Sequence, residues 1–175
     1  MGCPHRLAAQ RPRQVAAHLT RNSLDGLVGL KQTFNVIPGE REVSVTMEVK
    51  NRSAVTTLPD VELDRYFDSD ANNQRSNTYR STNQSVLGLP QLLGAPVHGL
   101  MLTQAPSNAA ISPSLGQIQT FAEWDPNGTS FQGARKCRGA SGVFDNEDLV
   151  GRFITSFGDI APAQTKSVTF RYHGI

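Results

Sequence analysis

Residues 43–50 read VSVTMEVK, and this alternation constrains the fold more than any other stretch of the chain. Val43, Val45, Met47 and Val49 fall on one side of an extended backbone, and Ser44, Thr46, Glu48 and Lys50 on the other. A period of two separates apolar from polar side chains only in a strand, and a strand with one apolar face has to lay it against a second layer. Pro38-Gly39 ahead of the run is a turn signal, and Asn51-Arg52-Ser53 closes it. The pattern recurs in VELDRYFD, where Val61, Leu63, Arg65 and Phe67 oppose Glu62, Asp64, Tyr66 and Asp68, after a connecting loop that holds Leu58-Pro59-Asp60. Further strands are expected at 85–89, 98–105, 114–124, 151–158 and 167–175, with Val168, Phe170 and Tyr172 sharing a face in the last. Runs this short, punctuated by Pro, Gly, Asn and Asp, leave little room for long amphipathic helices. The expected fold is all-β: an antiparallel two-sheet β-sandwich with long polar loops, notably 68–84 and 125–148, and a short N-terminal helical or irregular segment.

A chain of 175 residues fits one domain with a core of its own. Residues 1–30 read as a basic N-terminal segment, either a short helix near Gln14–Thr20 or an extended arm, and residues 31–175 as the β-sandwich domain. Arg6, Arg11, Arg13 and Arg21 occupy the first 21 positions with no acidic residue among them. Over the whole chain 17 basic side chains face 15 acidic ones, and neither sign forms a block, so no footprint for nucleic acid stands out. No apolar window is long enough for a membrane span, and the N-terminus lacks the apolar core of a secretory signal. Met1-Gly2-Cys3 opens as dual acylation sites do, but Arg6 stands where that motif requires Ser or Thr.

Cys3 and Cys137 lack the close spacing of zinc ligands, which leaves one disulfide in an exported chain or two independent thiols. Asn51, Asn83 and Asn127 each begin an Asn-x-Ser/Thr sequon, which carries meaning only in a eukaryotic secretory host.

Oxygen donors gather after the second strand. Asp68, Asp70 and Asn72 stand at alternate positions, the arrangement with which a hard cation such as calcium is held on a flexible loop, and Asp64 or the group Asp145, Asn146, Glu147 and Asp148 could complete the shell. Asn73 and Tyr79 stand where an EF-hand would have its Gly and its bidentate Glu, so the site would be of another type. The competing reading is a solvated turn in which Asp and Asn side chains cap their own backbone.

Trp124, Tyr66 and Tyr79 lie near loops rich in Asn and Gln, a combination suited to sugar rings, and His98 precedes an apolar strand where it could line a cleft. Trp124 could equally plug the core. Glu62, Asp64, Glu123 and Asp125 could supply a glycosidase-like carboxylate pair, but no nucleophile and base set accompanies them.

The closing segment GRFITSFGDIAPAQTKSVTFRYHGI has the form strand, Gly-Asp, apolar residue, Pro, polar turn, strand, aromatic end. It resembles the closing hairpin of secreted bacterial β-sandwich modules, in which an earlier segment of the type VTMEVKNRSAVTTLPDVELDRYFDSD also occurs. The resemblance spans about residues 41–86 and 145–174, and it departs at Ala163-Gln164, where those modules have Gly in the turn. It implies a β-sandwich fold, and function only by analogy. The absence of a nucleophile and base set favours a non-catalytic binding or structural module of a secreted or cell-surface protein, for which the residues above suggest calcium, a carbohydrate or a protein as ligand, with homo-oligomers as one mode of assembly through an exposed sheet edge. The alternative is a hydrolase, or a fragment of one, using the acidic loops.

Overall fold

The computed structural model describes residues 14–67, 77–82, 85–90, 98–105, 115–120, 142–147 and 149–175. Among the described residues the structure is all-β, without a helix: β1 (Val15–Asn22), β2 (Val28–Val36), β3 (Glu42–Asn51), β4 (Leu58–Phe67), β5 (Asn77–Thr82), β6 (Ser85–Pro90), β7 (Leu100–Gln104), β8 (Leu115–Thr120), β9 (Gly142–Glu147), β10 (Leu149–Ile160) and β11 (Thr165–Gly174). Eight strands form one sheet in the order β1-β2-β3-β11-β7-β6-β5-β9, and β4-β10-β8 form a second. Every pairing is antiparallel.

The sequence closes these hairpins by local chemistry. Between β2 and β3, Ile37-Pro38-Gly39-Glu40 forms a type II turn: Glu40 N donates to Ile37 O at 3.1 Å, and Gly39 takes the required positive φ of 89°. Ala161-Pro162-Ala163-Gln164 makes the same turn between β10 and β11, with Gln164 N on Ala161 O at 3.0 Å and Ala163 at φ 59°. Gly158, at φ 57°, marks a bulge where the β4–β10 register slips on both sides, between Ser156 and Gly158 and between Gly158 and Ile160.

The alternating face of β3 is the centre of the core. Val45, Met47 and Val49 are buried beside Val168 and Phe170 of β11 and Leu102 of β7, with Val43 half-buried against them. Phe157 and Ile160 of β10 belong to the same cluster, so the three-stranded sheet contributes to the core that the eight-stranded sheet builds. A second link is polar: Arg65 Nε of β4 donates to the Tyr172 hydroxyl of β11 at 2.5 Å, and its guanidinium carbon lies 5.4 Å from the ring centroid.

Four expectations are corrected. Gln14–Thr20, where a helix was allowed, is extended into β1, because pairing with β2 outweighs the helix propensity of two alanines. Leu58-Pro59-Asp60 begins β4 instead of lying in a loop. Within the stretch 68–84, Asn77–Thr82 is a strand, and within 125–148 so is Gly142–Glu147. These two pair with each other, which gives the polar NTYRST and the mixed GVFDNE a ladder that alternation alone does not announce.

Candidate functional site

Asp68, Asp70, Asn72 and Trp124 lie outside the described residues, as do Cys3, Cys137, Asn83 and Asn127. Asp64 and Tyr66 are strand residues of β4, in register with Ile154 and Arg152 of β10. Tyr79 is in β5, opposite Gly88 of β6 and Phe144 of β9, so it belongs to the other sheet. His98 is exposed, two residues before β7. Among the described residues, no three His, Cys, Asp or Glu side chains are grouped as a metal ion would need.

Asn51 is fully buried, which changes the reading of its sequon. Its amide nitrogen donates both hydrogens, to Thr56 O at 2.7 Å and Ile160 O at 2.9 Å, and its oxygen accepts from Ser53 N at 2.9 Å. With both N–H groups engaged and the side chain buried, the amide is closed to a glycosyl donor, so in the folded chain it serves as a structural clamp.

A polar array that the sequence did not reveal covers the opposite face of the large sheet. Glu42 Oε2 lies 3.2 Å from His173 Nδ1, and His173 Nε2 lies 3.1 Å from the Thr103 hydroxyl. Arg171 Nε approaches the other oxygen of Glu42 at 3.6 Å. A carboxylate only accepts, which in the singly protonated ring assigns the proton to Nδ1 and leaves Nε2 to accept from Thr103. The order carboxylate, imidazole, hydroxyl is that of a nucleophilic triad, and only strand register brings its members together: His173 opposite Glu42 on β3, and Thr103 opposite Arg171 on β7. The same face carries the Thr46–Thr169 hydroxyl pair at 2.8 Å and the Lys31–Glu48 ion pair at 2.7 Å.

The third feature is the free end of the large sheet. β1 is an edge strand, and all eight of its residues are exposed. Register with β2 puts Val15, Ala17 and Leu19 on the core side, opposite Val36, Phe34 and Gln32. Leu30 and Phe34 of β2 pack against the buried cluster, yet Val15 and Leu19 keep 58% and 57% of their surface in solvent. The hairpin therefore extends beyond its own core as a ledge. Asp25-Gly26 between two strand-forming runs is the signal that could have found it.

Among the described residues no helix is long and apolar enough to cross a membrane. No protein-family model matches the chain, and no curated protein matches it.

Proposed function

We propose that this chain is a non-catalytic binding or structural module of a secreted or cell-surface protein, with its two sheets packed as a β-sandwich. The sandwich reading is supported by the cluster in which Phe157 and Ile160 of the small sheet join Val45, Phe170 and Leu102 of the large one. The observation that carries the non-catalytic reading is the setting of Thr103. Ala105 N donates to Thr169 O, and hydrogen-bonded pairs alternate along an antiparallel ladder, so the N–H groups of Thr103 and His173 are spent within the β7–β11 pairing. Acyl transfer needs free N–H donors aimed at the developing oxyanion, and among the described residues the neighbouring Thr103 and His173 N–H groups are not such a pair. The array instead ties three strands together. Calcium at Asp68, Asp70 and Asn72 with Asp64, and a glycan at Trp124, Tyr66, Tyr79 and His98, are the ligands this reading puts forward, on the strength of residue chemistry.

The second reading, a hydrolase, is favoured by the Glu42–His173–Thr103 order and is separated by one experiment. Hydrolysis of p-nitrophenyl esters and glycosides should be the same for the native chain and for Thr103→Val, while the substitution lowers stability by about 1 kcal/mol through the lost hydrogen bond. A turnover that Thr103→Val and His173→Gln both abolish would replace the binding module with the hydrolase.

A further inference from the structure

Among the described residues the edge of β1 is open, and it points to a partner that does not depend on whether the chain is catalytic. Ser23 N donates to Val28 O at 2.9 Å just beyond the last register pair, Asn22 with Gly29. Alternation then assigns the β2-bonded positions to Arg21, Leu19, Ala17 and Val15, and directs the peptide groups of Ala16, His18, Thr20 and Asn22 away from β2, along the free edge. An edge of this length, without proline and with Arg21, opposite Leu30, as the one charge on its core side, is an acceptor for another strand.

We infer that the strand it accepts is β1 of a second copy, paired antiparallel about a two-fold axis at Leu19. A two-fold axis perpendicular to the sheet keeps core-side residues opposite core-side residues, which limits the registers to those centred on a single residue. Centred on Leu19, the pairing sets Leu19 against its own copy, Ala17 against Arg21, His18 against Thr20 and Ala16 against Asn22. The exposed Leu19 side chains are then covered by each other, and the outward peptide groups of His18 and Thr20 find partners. Centring on His18 instead sets imidazole against imidazole and leaves Leu19 beside Ala17.

Charge does not oppose a second copy. β1 carries Arg21 towards one end and no acidic residue. Antiparallel pairing puts the two Arg21 positions four residues apart, roughly 13 Å along the strand at ~3.3 Å per residue. That exceeds the screening length of about 8 Å at physiological ionic strength, so the copies do not repel at the seam. A single joined strand pair is a small interface, and the dimer should be weak and concentration-dependent.

The test uses the full chain with Cys3→Ser and Cys137→Ser, so that introduced thiols are the only ones. Sedimentation should show the average mass rising towards twice the monomer between roughly 1 and 500 µM, the range in which weak complexes form. Leu19→Lys, which sets two ammonium groups at the axis, should hold the mass at the monomer value with an unchanged melting temperature. Leu19 occupies a pair that is not hydrogen-bonded across the new seam, where side chains approach most closely, so Leu19→Cys should oxidise to a covalent dimer at least about tenfold faster than Leu24→Cys at the fully exposed hairpin tip. A monomer at every concentration, a dimer indifferent to Leu19→Lys, or equal oxidation of the two cysteine variants would overturn the proposal. Faster cross-linking of Ala17→Cys to Leu19→Cys than of Leu19→Cys to itself would move the axis to His18 and overturn this register.

Discussion

Two turns of one type, one with glycine and one without, isolate the cost of a single backbone angle. Gly39 and Ala163 both follow proline, and both sit at positive φ, 89° and 59°. Ala163 cannot leave that region, because its N–H donates to Ser53 O at 3.0 Å and the turn hydrogen bond of Gln164 holds its other side. An L-residue in the left-handed region is disfavoured by about 1–2 kcal/mol, a cost glycine avoids. Ala163→Gly should therefore raise stability by about 1 kcal/mol, net of glycine's larger entropy in the unfolded chain, and Gly39→Ala should lower it by a similar amount. Denaturant midpoints measure both, and a destabilised Ala163→Gly would show that the turn is not strained. The turn itself was legible, since Pro162 and the polar residues after it stand between two strand-forming runs. Departure of Ala163-Gln164 from the glycine expected there was legible too, but its consequence needed the dihedral angle.

At the scale of the element, what could be read depended on whether a strand has a buried face. β3 and β11 alternate because one side of each lies in the core, so their faces followed from spacing alone. β1 has no buried residue, β5 carries a polar sequence and β9 a mixed one, and each exists because a neighbour offers it a ladder, which no local pattern records. The β1–β2 hairpin leans on its tip. Asp25 Oδ1 accepts from the Ser23 hydroxyl and from Leu27 N at 3.0 Å, and Gly26 takes φ 72°. The hydrogen bond from Ser23, followed by that from Leu27, holds the Asp25 carboxyl below its ordinary value. A depressed carboxyl stabilises the folded hairpin above the unfolded-state value and loses that contribution as pH falls through the folded one. The Leu27 amide resonance should thus titrate with a midpoint below that of an unstructured aspartate, and Asp25→Asn should remove the titration. A midpoint at or above the ordinary value would mean that the tip is not closed in this way.

For the molecule as a whole, the question is what ties the small sheet to the large one. Apolar contact of Phe157 and Ile160 with the β3–β11 core supplies the non-directional part; alternation announced the β3 and β11 faces, but the bulge at Gly158 that brings Phe157 and Ile160, three residues apart, into one cluster was not legible. The directional part lies in Asn51, which the sequence presented as the start of a sequon and which only the assembled fold turns into a clamp. Asn51 ends β3 in the large sheet, while Ile160, whose carbonyl it binds, ends β10 in the small one; Thr56 O and Ser53 N fix the connection to β4. Asn51 and Ile160 are both buried, so removing the amide strips the Ile160 carbonyl of this partner out of reach of water, while Thr56 O and Ser53 N, nearer the surface, lose one hydrogen bond each. At about 1–3 kcal/mol for the buried carbonyl and about 0.5–1.5 kcal/mol for each of the other two bonds, with incomplete additivity, Asn51→Ala should cost roughly 2–4 kcal/mol, against less than about 0.5 kcal/mol for Ser→Ala at an exposed control position. Asn51→Asp separates hydrogen bonding from shape: a carboxylate fits the space but faces two carbonyl oxygens, so it is tolerated only when protonated. Its folded-state carboxyl is therefore pushed up, and the variant should hold its stability at acidic pH and lose it as pH rises through that raised value, the opposite trend to Asp25. Melting temperatures of the two variants across pH decide the matter. A loss for Asn51→Ala no larger than at the exposed control, or Asn51→Asp stable at neutral pH, would leave the apolar cluster as the whole of the bond between the sheets.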